Sequence, residues 1–211
     1  MQDSDIMWLR NSFERLGEDA DIQITCDNYN GNPFDVMNEV NTGFMYVRSN
    51  EWTIRFYKDW YESRSSFPGQ KERDVLNILK STTGFAARGM KFMFLETKYF
   101  GGFCQRSPDL FDVYTMHANC CKGLKAKLID LRIVLDDWAE YRNLTVNSSS
   151  PNLGKSWRPA DACINSWRLW IICFGMLIRI LHVASFLHVI TPLYWLHICF
   201  IPFRYEKNST P

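Results

Sequence analysis

Asp3-Ser4-Asp5-Ile6-Met7-Trp8-Leu9-Arg10-Asn11 is the stretch on which the reading of this chain turns. Ile6 to Leu9 is a short apolar run suited to a strand, and two carboxylates, Asp3 and Asp5, stand at its leading edge. Carboxylates one residue apart can share a divalent cation if the chain bends at Ser4. A strict strand also permits it, because residues i and i+2 point to the same side. Oxygen ligands of this kind suit Mg²⁺ or Mn²⁺. The same pair in isolation also fits a solvated acidic turn or a helix N-cap, so the surrounding sequence has to decide.

Outward from this stretch, strands and helices alternate irregularly, which predicts an α/β or α+β class. Asp21 to Cys26 (DIQITC) alternates apolar and polar, the strand period, and Asp27 to Asn41, rich in Asn, Asp, Gly and Pro, reads as a loop. Gly43 to Val47 is a second strand candidate. Ser49-Asn50 supplies a cap for a helix over Glu51 to Arg64, with Trp52, Phe56 and Trp60 on one face and Tyr57 and Tyr61 beside them. Glu72 to Lys80 is a short helix with Val75, Leu76 and Leu79 as its apolar side, and Lys91 to Leu95 is a third strand. Tyr99 to Phe103 (YFGGF) reads as a glycine turn. Gly123 to Tyr141 is the clearest helix, with Leu124, Leu128, Leu131, Leu135 and Trp138 as the expected packed face. Asn143 to Lys155 is polar and loop-like.

The 211 residues are 46% hydrophobic and 22% charged, which excludes intrinsic disorder and leaves enough apolar surface for a core. With 24 basic and 23 acidic residues there is no basic surplus, so nucleic acid is not an expected partner. Seven cysteines are too few for a disulfide scaffold but fit a secretory-pathway protein with a few bridges. Their pairing cannot be read from their spacing. Asn143-Leu144-Thr145, Asn147-Ser148-Ser149 and Asn208-Ser209-Thr210 are glycosylation sequons.

Three further groups carry chemistry. His117, in Thr115-Met116-His117-Ala118-Asn119-Cys120-Cys121, can be a third metal ligand or a satisfied histidine of the core. Asp74 can orient a sugar hydroxyl or act as a base, or be a first-turn acid favoured by the helix dipole. Asn41-Thr42-Gly43 can meet a sugar with side-chain and backbone hydrogen bonds, or form a turn entering a strand.

Read together, these motifs resemble the plant nucleotide-diphospho-sugar transferases related to glycosyltransferase family 77. The opening DSDIMWLRN is similar to that family's DxD segment, and Asn41 to Asn50 (NTGFMYVRSN) resembles its N-x-G-F-x-Y-V-x-S-N. Phe56-Tyr57-Lys58, Trp60 to Arg64, Asp74 to Asn77, Tyr99 to Cys104 and Thr115 to Cys121 follow in the family's order. The chain departs from the pattern at Lys71-Glu72-Arg73, which places charges beside the expected site.

The resemblance implies a GT-A-type fold and sugar transfer from a nucleotide-diphospho-sugar, a UDP-sugar, to a cell-wall glycan or glycoprotein acceptor. It implies Mn²⁺ or Mg²⁺ held by Asp3, Asp5 and His117, with Asp74 catalytic and Asn41, Thr42 and Gly43 binding substrate. It further implies a Golgi membrane protein with a luminal domain. Such a cation would bridge the two phosphates and stabilise the departing diphosphate.

Residues 1–166 are expected to be the C-terminal part of the transferase domain, a partial GT-A-type fold in the α/β class. No signal peptide is visible, the preceding nucleotide-binding half is missing from the pattern, and activity of this chain alone is not expected. The alternative is a non-catalytic Golgi interaction protein derived from such an enzyme. Residues 167–211 form an appended apolar tail. Leu169 to Leu187 is about long enough to cross a bilayer, but Arg179 inside it would cost roughly 2.5–3.5 kcal/mol on insertion scales. A membrane contact through 167–205, a stretch foreign to the normal protein and a buried globular helix all stay open.

Overall fold

A computed structural model describes residues 2–86, 89–147 and 156–167. The chain divides into two units, Met1–Ile164 and Asn165–Pro211. The apolar tail from residue 168 on lies outside the described residues, as does most of the loop expected after Asn143. Among the described residues, no helix is long and apolar enough to cross a membrane. The first unit is mixed α/β, as expected of a nucleotide-sugar transferase domain.

Its first sheet has the order β3-β2-β4, with β2 (Ile22–Cys26) between β3 (Val40–Val47), antiparallel to it, and β4 (Phe92–Phe94), parallel to it. The two faces of β2 show why DIQITC forms a central strand. Ile22, Ile24 and Cys26 enter the main core with Phe56, Trp60, Val75, Leu76, Phe92 and Phe94. Gln23 and Thr25 are buried as well, and each finds a partner: Gln23 takes both polar groups of Gly17, and Thr25 Oγ1 donates to Asn41 O.

Helix α1 (Glu51–Ser63) starts on a capping box, in which Asn50 Oδ1 accepts from Thr53 N at 3.0 Å and Thr53 Oγ1 accepts from Asn50 N at 3.1 Å. Phe56 and Trp60, four residues apart, pack on the sheet, whereas Trp52 faces solvent. Helix α2 (Glu72–Leu79) buries Val75 and Leu76, and a single turn, α3 (Thr83–Ala86), leads to β4.

The ladder between β2 and β3 is broken. Ile24 pairs with Met45, but the next residue, Thr25, pairs with Asn41. Thr42, Gly43 and Phe44 therefore bulge out, and Gln2 bridges to Phe44 there. Bulges re-aim residues in this way next to functional sites.

The second sheet has the order β1-β6-β5. In it β1 (Ile6–Trp8) runs antiparallel to β6 (Thr115–His117), and β5 (Phe100–Gly102) runs parallel to it. The expected glycine turn at Tyr99 to Phe103 is thus a strand. Its glycines allow close approach instead: a Cβ on Gly101 would lie 2.8 Å from Ser107 N, and one on Gly102 would lie 2.3 Å from Asn119 Oδ1.

Helix α4 (Leu124–Asn147) covers this sheet, and its packed face also differs from the expected one. Val134, Trp138 and Tyr141 join Leu110, Val113, Met116 and Trp157, while Leu124, Leu128 and Leu135 are exposed. The reason is a pair of buried acids on the packed side. Asp130 accepts from the backbone of Ala162 and Cys163, and Asp137 accepts from the backbone and the guanidinium of Arg158. A purely hydrophobic pattern turns both acids outward. Disulfides Cys104–Cys120 and Cys121–Cys163 complete the tie between β5, β6 and the segment after α4.

Candidate functional site

The opening acidic triplet bridges the two sheets. Asp3 N donates to Gly43 O in the β3 bulge at 2.7 Å, and Asp5 O accepts from Ala118 N, just past β6, at 3.0 Å. The chain turns at Ser4 and Asp5. His117 ends β6 directly opposite Ile6. One ligand atom each from Asp3, Asp5 and His117 then lies within 4.8 Å of the others. His117 Nε2 is 3.3 Å from Asp5 Oδ1 and 3.8 Å from Asp3 Oδ2. The other Asp5 oxygen is paired with Lys127 of α4. The hydrogen bond from His117 holds the Asp5 carboxyl well below the usual carboxylate range; burial opposes this and the Lys127 pair adds to it.

His117 is held by what lies beneath it. A Cβ on Gly43 would fall 2.4 Å from His117 Cε1, so only glycine lets the imidazole lie against the bulge. Gly43 N donates to Asn41 Oδ1 at 2.8 Å, and Asn41 Nδ2 donates to Asp27 Oδ1 at 2.5 Å. Asp27, at the end of β2 and only 5% exposed, also accepts from Asn119 Nδ2 at 2.9 Å and from Arg73 at 2.8 Å. Asn119 in turn accepts from Cys104 N and fills the space over Gly102. Behind His117 only about 10 Å³ of space is left, room for about one water. Asp3, whose side chain is 54% exposed, lies on the open side.

Of the residues singled out in the sequence, Asp3, Asp5, His117, Asn41, Thr42 and Gly43 come together around the bulge. Asp74 is not in that cluster. It sits in the first turn of α2, partly exposed and 3.7 Å from Arg73 Nε, and reaches Asn41 only through Arg73 and Asp27. Asp27, Asn119, Arg73 and Lys127 were missed. Two signals point toward them: Asn119 stands in the Thr115 to Cys121 motif, and at the departure Lys71-Glu72-Arg73, Arg73 pairs with Asp27 while Glu72 accepts from Thr42 Oγ1 at 3.3 Å.

The donor set of two carboxylates and one imidazole suits Mn²⁺ or Mg²⁺. Ligands at about 2.1 Å on opposite sides of such an ion are about 4.2 Å apart, so a separation of at most 4.8 Å closes with small side-chain movements.

Residues 1–131 match the nucleotide-diphospho-sugar transferase family. The chain belongs to that family. Two relatives of this chain are proteins of Arabidopsis thaliana, both themselves uncharacterized. At4g15970 is 44% identical over 155 residues, which cover 74% of this chain and 42% of that protein. At1g28695 is 42% identical over 166 residues, covering 78% of this chain and 47% of that protein. The chain thus spans less than half the length of these relatives. No solved structure matches the chain.

Proposed function

We propose that this chain forms the cation- and diphosphate-binding part of a glycosyltransferase of the family-77 type, which moves a sugar from a UDP-sugar to a glycan or glycoprotein acceptor. The observation that carries the reading is the meeting of Asp3 and Asp5 with His117, from opposite ends of a nucleotide-diphospho-sugar transferase domain, on the open side of the β3 bulge. Asp3, Asp5 and His117 would hold Mn²⁺ or Mg²⁺. When bound, the cation would supply Lewis-acid stabilisation of the charge on the leaving diphosphate.

The chain's own residues do the rest. Gly43 and Asn41 hold the imidazole toward Asp5, with both ends of the Asn41 amide engaged, so Asn41 acts as a positioning residue. Lys127 brings a fixed positive charge to the same edge, where it favours the developing anionic oxygens. Asp74 keeps a partly exposed carboxylate on α2 and is the candidate to orient or deprotonate an acceptor hydroxyl. Two disulfides need an oxidising compartment, which supports a luminal, Golgi location. The test is Mn²⁺ titration followed by the spin resonance of the free ion. The chain should hold one ion, and Asp5→Asn or His117→Ala should weaken it by at least about tenfold. Equal affinity in the parent and both variants would contradict the assignment.

A further inference from the structure

A second concave site lies on α1 and α2. Tyr57, Trp60, Tyr61, Arg64, Glu72 and Val75 line an open pocket of about 290 Å³, just under the usual size of small-molecule sites and suited to a sugar ring. Its floor is aromatic and held in place. Trp60 Nε1 donates to the carbonyl of Glu72 at 3.2 Å, Tyr57 packs against Trp60 with ring centroids 5.6 Å apart, and the Tyr57 hydroxyl rests on Met45. Tyr61 is 62% exposed and presents its ring under the Arg64 guanidinium, 3.7 Å from the centroid. A floor fixed before the ligand arrives loses little freedom on binding.

The rim is polar. Among the described residues, the Arg64 guanidinium and the Gln70 amide make no hydrogen bond. Glu72 uses one carboxylate oxygen for Thr42 Oγ1 and has the other left. A diphosphate would meet the Glu72 carboxylate. A neutral pyranose satisfies both parts, with its C–H face on the aromatic rings and its hydroxyl edge on the rim. Glu72 also connects the pocket to the cation cluster, because Thr42 precedes Gly43, which supports His117 and holds Asp3. We propose that this pocket is an acceptor subsite that takes a pyranose ring of a neutral glycan. The proposal rests on the transferase reading above.

The test applies the full chain to an array of neutral oligosaccharides, with Mn²⁺-dependent UDP binding read on the same samples. The chain should retain at least one neutral glycan, and Tyr61→Ala and Glu72→Gln should each weaken that binding about tenfold. Asp3→Asn should leave glycan retention unchanged while removing UDP binding. Absence of any glycan binding, or binding indifferent to both pocket variants, overturns the proposal. Glycan binding that depends on Tyr61 without any UDP binding would contradict the transferase reading and leave the pocket as a carbohydrate site.

Discussion

Gly43→Ala adds one carbon at the place where the cation cluster is built. The backbone of Gly43 is not left-handed, so an alanine there carries no conformational penalty. The penalty is contact. The new Cβ would lie 2.4 Å from His117 Cε1, 2.8 Å from His117 Nδ1 and 2.8 Å from Asn41 Oδ1, whereas carbon atoms in contact sit about 3.5–4.0 Å apart. Something must move by about 1 Å. If the bulge retreats, the Asp3 N bond to Gly43 O is lost; if Asn41 turns, Asp27 loses a partner in a buried site. Turning the imidazole gives up its contacts to Asp5 at 3.3 Å and Asp3 at 3.8 Å, breaks no backbone bond, and is the least costly escape. Overpacking of this kind costs about 1–3 kcal/mol, and a ligand turned away lowers metal affinity by about 10–100-fold. Urea unfolding followed by tryptophan emission reads the first, and Mn²⁺ titration reads the second. Gly17→Ala, whose Cβ would meet nothing within 4 Å, is the control and should change neither. A destabilised Gly43→Ala chain with unchanged Mn²⁺ affinity would show that His117 is not a ligand.

Further outcomes follow from the same contacts. Asp27→Ala strands Asn41, Asn119 and Arg73 at once and should cost about 3 kcal/mol or more in urea unfolding, as for other broken buried ion pairs; a loss below about 0.5 kcal/mol, typical of surface sites, would show that Asp27 is not the support described. Removing Cys121–Cys163, which closes a separation of 42 residues, should destabilise by about 4 kcal/mol, against about 3 kcal/mol for Cys104–Cys120 and its separation of 16. Equal or reversed losses in the paired serine variants would contradict this order. Burial pushes the Cys26 thiol up to about 12, so at pH 8 the neutral thiol dominates and iodoacetamide should leave Cys26 unmodified until urea opens the core; peptide mass mapping reads it, and native modification would contradict its burial.

Local pattern made much of the fold legible. The alternation of Ile22, Ile24 and Cys26 marks β2, and Asn50 with Thr53 marks the start of α1, because both signals reside in neighbouring residues. Pairwise properties were not legible. The bulge at Thr42, Gly43 and Phe44 exists only in the register between β2 and β3, and β5 hides behind glycines that in a single chain read as a turn. The packed face of α4 was misread because Asp130 and Asp137 are buried by backbone partners that follow tens of residues later. Asp3, Asp5, His117 and Gly43 could be marked as candidates through their motifs, but their support could not. Asp27, Asn119 and Arg73 are scattered along the chain and meet only in the folded structure.

Asp3, Asp5 and His117 are proposed to bind the cation that holds a nucleotide diphosphate. Calorimetry of UDP with the full chain, with and without Mn²⁺, decides this. Binding should require Mn²⁺ and disappear in the Asp3→Asn/Asp5→Asn double variant. UDP binding that survives in that variant or without the cation, or no binding by the folded parent, would contradict it.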